Sequence, residues 1–338
     1  MPRAALPQRR YAVHSVRVRV MSASAGLLRA VADLLAPFAV PDHAPDSLAA
    51  ISLRLSEREA PPLPAGREEW FTYPPLHCTT NAHHGYSEHD GRYVARLTFA
   101  TGAISVWAPP RLGIERWMVG HAVVMPLLME ALRGHGLASL HAAALCDGGR
   151  AVLLPGESGS GKSTLSVALL RGGFALLSDD SPFMRRDADG ITLCAFPEPV
   201  NVTIATARFF ADITPHWRAG EPDARGKVSL AAVDLGGGVA ETAPATVVLF
   251  PSIGEDERSH VAPVAKSAAL DRLLGMSMPA ATAARGLEQF LLLADLARQA
   301  DCYTLTVGRD FDALPALVRR LLHARQDGRA QSHISTPT

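Results

Sequence analysis

The chain has 338 residues, enough for one large domain or two moderate ones. Hydrophobic residues make up 48% and charged residues 20%, with Lys+Arg and Asp+Glu equal at 33 each, so neither a disordered polyelectrolyte nor a strongly basic nucleic-acid binder is expected. Apolar runs are broken by charge, Gly or Pro well short of the ~20 residues a membrane-spanning helix needs, so no membrane partner is expected. The basic first ten residues lack the apolar core of a secretory signal. Cys78, Cys146, Cys194 and Cys302 are scattered without a CxxC pair, which suits a reducing, cytoplasmic compartment better than a disulfide framework or zinc ribbon.

Residues 16–20 (Val-Arg-Val-Arg-Val) alternate as a half-buried strand does, and Leu27, Leu28, Val31, Leu34 and Leu35 recur at helical spacing within 22–38. Residues 51–55 alternate again, and the prolines of 61–64 read as a connector. Residues 92–99 and 103–107 predict a hairpin. His77, Cys78, His83 and His84 match no usual zinc spacing and read as a polar surface loop. Residues 115–133 predict a long apolar helix closed by Gly134 and Gly136. The reading is a small α+β domain over 1–110, an α/β domain over 111–324 and a disordered tail over 325–338.

The second part carries the chemistry. Strands at 139–146 and 150–154 are joined through Asp147-Gly148-Gly149, and the loop Gly156-Glu157-Ser158-Gly159-Ser160-Gly161-Lys162-Ser163 meets the pattern GxxxxGK[ST] in full. A helix is predicted over 165–171 and a strand over 174–178, ending at Asp179-Asp180. Glycines let the backbone wrap a phosphate with its N–H groups, and the helix N-terminus adds a favourable field. Gly156 to Thr164 is therefore the expected nucleotide-binding segment, for ATP. Lys162 is placed along the phosphates, Ser163 and Asp180 on Mg2+, and Asp179 where it accepts a hydroxyl proton. The acidic pair follows Lys162 by only about 17 positions, unlike the far-downstream acidic strand of transporter ATPases.

The runs Leu140-His-Ala-Ala-Ala144, Ala151 to Thr164 and Gly173-Phe-Ala-Leu-Leu-Ser-Asp-Asp180 resemble the kinase domain of the HPr kinase/phosphorylase family. That resemblance implies the α/β fold shared with phosphoenolpyruvate carboxykinases, a phosphate-side role for His141 and a catalytic base at Asp179. Thr164 stands where HPr kinases carry Glu, and Phe196-Pro-Glu-Pro-Val-Asn201 lies in the region of a longer signature used in phosphate removal. The whole-chain layout resembles HPr-kinase-related proteins of biosynthetic clusters, lasso peptides included, whose members phosphorylate a serine near the end of a precursor peptide.

Arg225 and Lys227 flank Gly226 and are candidate cations for charge on the transferring group. Glu198 and Asn201 are candidate acceptor or metal contacts. Beyond 190, strands are expected at 190–196, 246–250 and 302–307, and helices at 205–210, 267–274, 285–300 and 311–324. The leading function is an ATP- and Mg2+-dependent kinase acting on a serine of a peptide or protein. Alternatives are a small-molecule hydroxyl kinase and a non-catalytic nucleotide-gated binding module. The early domain is expected to serve the acceptor site or a homo-oligomer contact.

Overall fold

The computed structural model describes residues 6–41, 49–110, 115–223 and 225–332, with side chains described as far as residue 324. The chain divides into two compact units, Met1–Ala138 with Pro279–Gln289, and Ser139–Met278 with Phe290–Thr338. The boundary thus falls near 138 rather than near 110, and the first unit is completed by a segment that returns from far along the chain.

The first unit is built on an eight-stranded sheet. Its strands are β1 (Gln8–Val13), β2 (Val16–Ser22), β3 (Ile51–Glu57), β4 (Glu68–Tyr73), β5 (Leu76–Thr80), β6 (His84–His89), β7 (Tyr93–Thr98) and β8 (Ala103–Ala108), in the spatial order β1-β2-β3-β8-β7-β6-β5-β4. The β2–β3 and β3–β8 pairs are parallel. Helix α1 (Ala25–Leu35) crosses from β2 to β3, started by Ser24, whose side chain accepts the Leu27 N–H. It buries the stripe of Leu27, Leu28, Val31, Leu34 and Leu35.

The helix expected over 115–133 has two parts, a π-helical stretch Met118–Val124 and α2 (Met125–Arg133). Gly120 sits so close to α1 that a Cβ there would stand 2.6 Å from the Ala30 carbonyl oxygen. The returning segment is tied in by the Trp70 Nε1–H donating to the Pro279 carbonyl at 2.8 Å and by Arg285 against Glu130 at 2.9 Å. Glu130, fully buried, also holds Arg133 at 2.5 Å.

The stretch read as a polar surface loop is mostly strand; only the turn at 81–83, which carries exposed His83, lies outside one. His77 and Cys78 lie in β5 and His84 in β6, paired in antiparallel register with Cys78 opposite Ser87. Alternation sends His77 outward and Cys78 inward, where burial pushes its thiol up to about 12. Polar residues on the outward positions hid the strand period.

In the second unit, β9 (Ala138–Ser139) at the boundary leads into β10 (Ala142–Asp147) and β11 (Arg150–Pro155), a hairpin whose Gly148 and Gly149 take φ of +55° and +74°. Then follow α3 (Lys162–Arg171), β12 (Ala175–Ser178), β13 (Phe183–Asp187), β14 (Gly190–Cys194), β15 (Val200–Thr203), α4 (Ile204–Arg208), α5 (Thr214–Ala219), β16 (Lys227–Leu230), β17 (Gly238–Val239), β18 (Thr242–Ile253), β19 (His260–Pro263), α6 (Lys266–Gly275), α7 (Ala283–Gln299, which begins in the first unit), β20 (Asp301–Val307) and α8 (Leu314–Ser332). The main sheet runs β17-β12-β10-β11-β18-β14-β13, with β20 parallel to β18 and β19 on its far side; β15 and β16 form a separate ribbon.

The core under the sheet gathers Val152 and Leu154 of β11, Leu165, Leu169 and Leu170 of α3, Val247 and Leu249 of β18, and Leu314, Val318 and Leu322 of α8. Helix α3 is buried without a break from Leu165 to Leu170, Ser166 included, so its middle shows no solvent face. Helix α8 continues to Ser332, so residues 325–332, read as tail, are helical in backbone; 333–338 lie outside the described residues. The architecture is mixed α/β, and no helix among the described residues is long and apolar enough to cross a membrane.

Candidate active site

The glycine loop leaves β11 at Pro155 and enters α3 at Lys162. Gly159 and Gly161 take φ of +88° and +98°, the left-handed region that a side chain disfavours, and the loop turns with the Ser160 N–H donating to the Glu157 carbonyl at 3.2 Å. Gly161 caps α3, and its carbonyl accepts the Leu165 N–H at 2.9 Å. Helix α3 thus starts three residues earlier than the sequence pattern gave, with Lys162 and Ser163 in its first turn.

Sheet order decides what meets the loop. From the sequence, the strand carrying the acidic pair is expected beside the loop strand; in the structure β10 lies between them, antiparallel to both β11 and β12. Antiparallel insertion places the start of β10 at the carboxyl ends of its two neighbours. The residue just before that start is His141, which therefore stands between the loop and the acidic pair. Its Nε2 lies 3.2 Å from Lys162 Nζ and its Nδ1 lies 3.2 Å from Asp180 Oδ1. The His141 N–H donates to the Met276 carbonyl at 2.9 Å, which fixes the backbone there.

Lys162 is buried, and its ammonium donates to the Gly156 carbonyl and, at 3.1 Å, to the Glu157 carbonyl. Burial lowers its pKa, against the raising fields of Asp180 and Asp179. Asp180 is held below the usual carboxylate range: partial burial opposes this, but the His141 hydrogen bond and the positive fields of His141, Lys162 and Lys227 prevail.

Asp179 is 6% exposed. Its Oδ2 accepts the Asn201 N–H at 3.0 Å, and its Oδ1, also buried, has no hydrogen-bond partner. Burial pushes this carboxyl up to about 6, moderated by the Asn201 hydrogen bond. The turn after β12 is fixed by the Ser181 N–H donating to Ser178 Oγ at 3.0 Å. Glu198 is pushed up to about 8 by burial and then by the charges of Asp180 and Asp179, so it keeps its proton at neutral pH.

Asn201 reaches Asp179 through its backbone, while its side-chain Oδ1 accepts from Ser229 Oγ at 3.0 Å across the β15–β16 ribbon. The two candidate cations separate. Lys227 belongs to the charge environment of Asp179, Asp180 and Lys162, whereas Arg225 is 69% exposed on its side chain and pairs with Asp223 at 3.2 Å. Thr164 Oγ1 lies 3.1 Å from Thr206 Oγ1, and Ser163 is half-buried at the head of α3. Thr206 and Ser229 carry no signal in the sequence that could have singled them out; their places depend on how α4 and β16 fold back.

Among the described residues, no three His, Cys, Asp or Glu side chains converge to hold a metal unaided. The donor set at hand is hard oxygen: the Ser163 hydroxyl and the Asp180 carboxylate. That set fits magnesium, which takes few protein ligands and fills its shell with water and phosphate oxygens.

No family model matches the chain, and no curated protein does. Among solved structures, the Hpr(Ser) kinase/phosphatase from Coxiella burnetii overlaps 58% of this chain and 96% of its own length, at 16% identity and a TM-score of 0.30. An overlap that loose fixes neither the fold nor the chemistry of this chain.

Proposed function

We propose that the second unit is a nucleotide phosphate site of the P-loop class, and that the protein is an ATP- and Mg2+-dependent kinase for a serine hydroxyl of a peptide or protein. The observation that carries this reading is Asp179. It is a buried carboxylate with one oxygen held by Asn201, the other free, and a pKa near 6, beside a lysine-bearing glycine loop. A group so poised is ionised at neutral pH yet basic enough to take a proton.

In this reading the loop amides and Lys162 bind the phosphates, with Ser163 and Asp180 holding the magnesium ion, which when bound neutralises phosphate charge. His141 keeps Lys162 and Asp180 in register through its two ring nitrogens. Asp179 accepts the hydroxyl proton as the serine oxygen bonds to the γ-phosphorus and the bond to the departing ADP oxygen breaks. Lys227 offsets charge on the transferring group. The acceptor is a peptide or protein serine, and the sequence resemblance points to a ribosomal precursor of the lasso type.

The test is mass spectrometry after incubation with Mg2+, γ-18O-labelled ATP and a panel of serine peptides, HPr protein and simple alcohols. Label on a peptide or protein serine is the expected result. Transfer to a small alcohol alone would replace the acceptor class, and ATP binding with no transfer to any acceptor would leave a binding module.

A further inference from the structure

The two flanks of the glycine loop differ in chemistry. On the β10–β12 side stand His141, Asp179 and Asp180. On the other side the neighbour is β18, parallel to β11 with Leu153 opposite Val248. Carried on at that register, Pro155 at the end of β11 falls opposite Phe250, and β18 overshoots by three residues, roughly 10 Å at the usual rise of a strand. Its last residue, Ile253, overhangs the loop: a Cβ on Gly161 would stand 3.3 Å from Ile253 Cγ1. Pro251 lies against Gly156 in the same way, 3.8 Å from a Cβ placed there. Ile253 is nevertheless 69% exposed, an apolar side chain resting on the loop and open to solvent.

We infer that Ile253 is the platform for the nucleoside end of the bound nucleotide. This rests on the phosphate-site reading of the loop. A triphosphate whose terminal group faces Asp179 and Asp180 has its other end directed across the loop, toward β18. That flank offers an apolar surface for a base face, where the opposite flank offers His141 and two carboxylates.

The test compares Mg-ATP with inorganic tripolyphosphate, which has the same phosphate chain and no nucleoside, by calorimetry on the full chain. Ile253→Ser is expected to weaken Mg-ATP roughly ten-fold, the loss of one side chain's apolar contact, and to leave tripolyphosphate within about two-fold. Ile253→Leu is expected to keep wild-type affinity for both. Unchanged ATP affinity in Ile253→Ser, or an equal loss for both ligands, would overturn the platform while leaving the loop as a phosphate site. A wild-type protein that binds neither ligand would overturn the phosphate-site reading and the platform with it.

Discussion

Burying a carboxylate without a partner for one oxygen costs folding free energy, and Asp179 carries that cost. Its folded pKa of about 6 lies above the ordinary 3.8, so the folded state holds the proton more tightly than the unfolded chain. Stability from this group is therefore full below about 4 and falls as pH rises to about 6, by roughly 3 kcal/mol in all. Asp179→Asn, in the absence of ligand, is expected to raise the thermal midpoint at pH 7.5 and to leave it nearly unchanged at about pH 4. Differential scanning calorimetry at the two pH values checks this, and equal shifts at both would show that the carboxyl is not strained by burial. The two cations give a second contrast. Lys227→Ala is expected to lower kcat by roughly ten- to hundred-fold, and Arg225→Ala, whose side chain pairs with Asp223 in solvent, by less than about two-fold. Steady-state kinetics on the two variants decides between them.

At the scale of elements, the strand, glycine loop and helix are legible because the signal is local: a motif of fixed spacing, φ-permissive glycines at 159 and 161, and apolar residues on either side. Gly161→Ala is expected to destabilise the protein by about 1 kcal/mol or more, since its φ is +98° and a Cβ would press on Ile253, and to weaken tripolyphosphate binding as well. Gly120→Ala belongs to a different surface, the close approach of the π-helical stretch to α1. It is expected to cost about 1–3 kcal/mol with tripolyphosphate affinity unchanged, by chemical denaturation and calorimetry respectively. The insertion of β10 between β11 and β12 was not legible, because chain order does not specify sheet order. His141 consequently drew notice only through resemblance, although its position follows directly from the antiparallel pairing. Strands β4, β5 and β6 escaped for the opposite reason: Glu, His and Thr fill much of them, and their buried positions include Ser87 and His89 beside Trp70, Cys78 and Tyr86, so no apolar period of two is left to read.

For the whole molecule, the boundary between units is set by contacts that lie far apart in sequence. Residues 279–289 join the first unit through Trp70, Thr80 and the buried Glu130, which no local pattern announces. Glu130→Leu leaves two arginines without their carboxylate and is expected to destabilise the protein by about 3–5 kcal/mol. All the catalytic candidates, by contrast, fall within Ser139–Met278, so the proposed chemistry is assembled inside the second unit. The most direct test of that chemistry is the single-turnover rate of phosphoryl transfer to the best acceptor as a function of pH, in wild type and Asp179→Asn. The account predicts a wild-type rate that rises through about pH 6 as Asp179 ionises, and a variant slowed at least about hundred-fold with ATP affinity retained. Undiminished transfer by Asp179→Asn would contradict it.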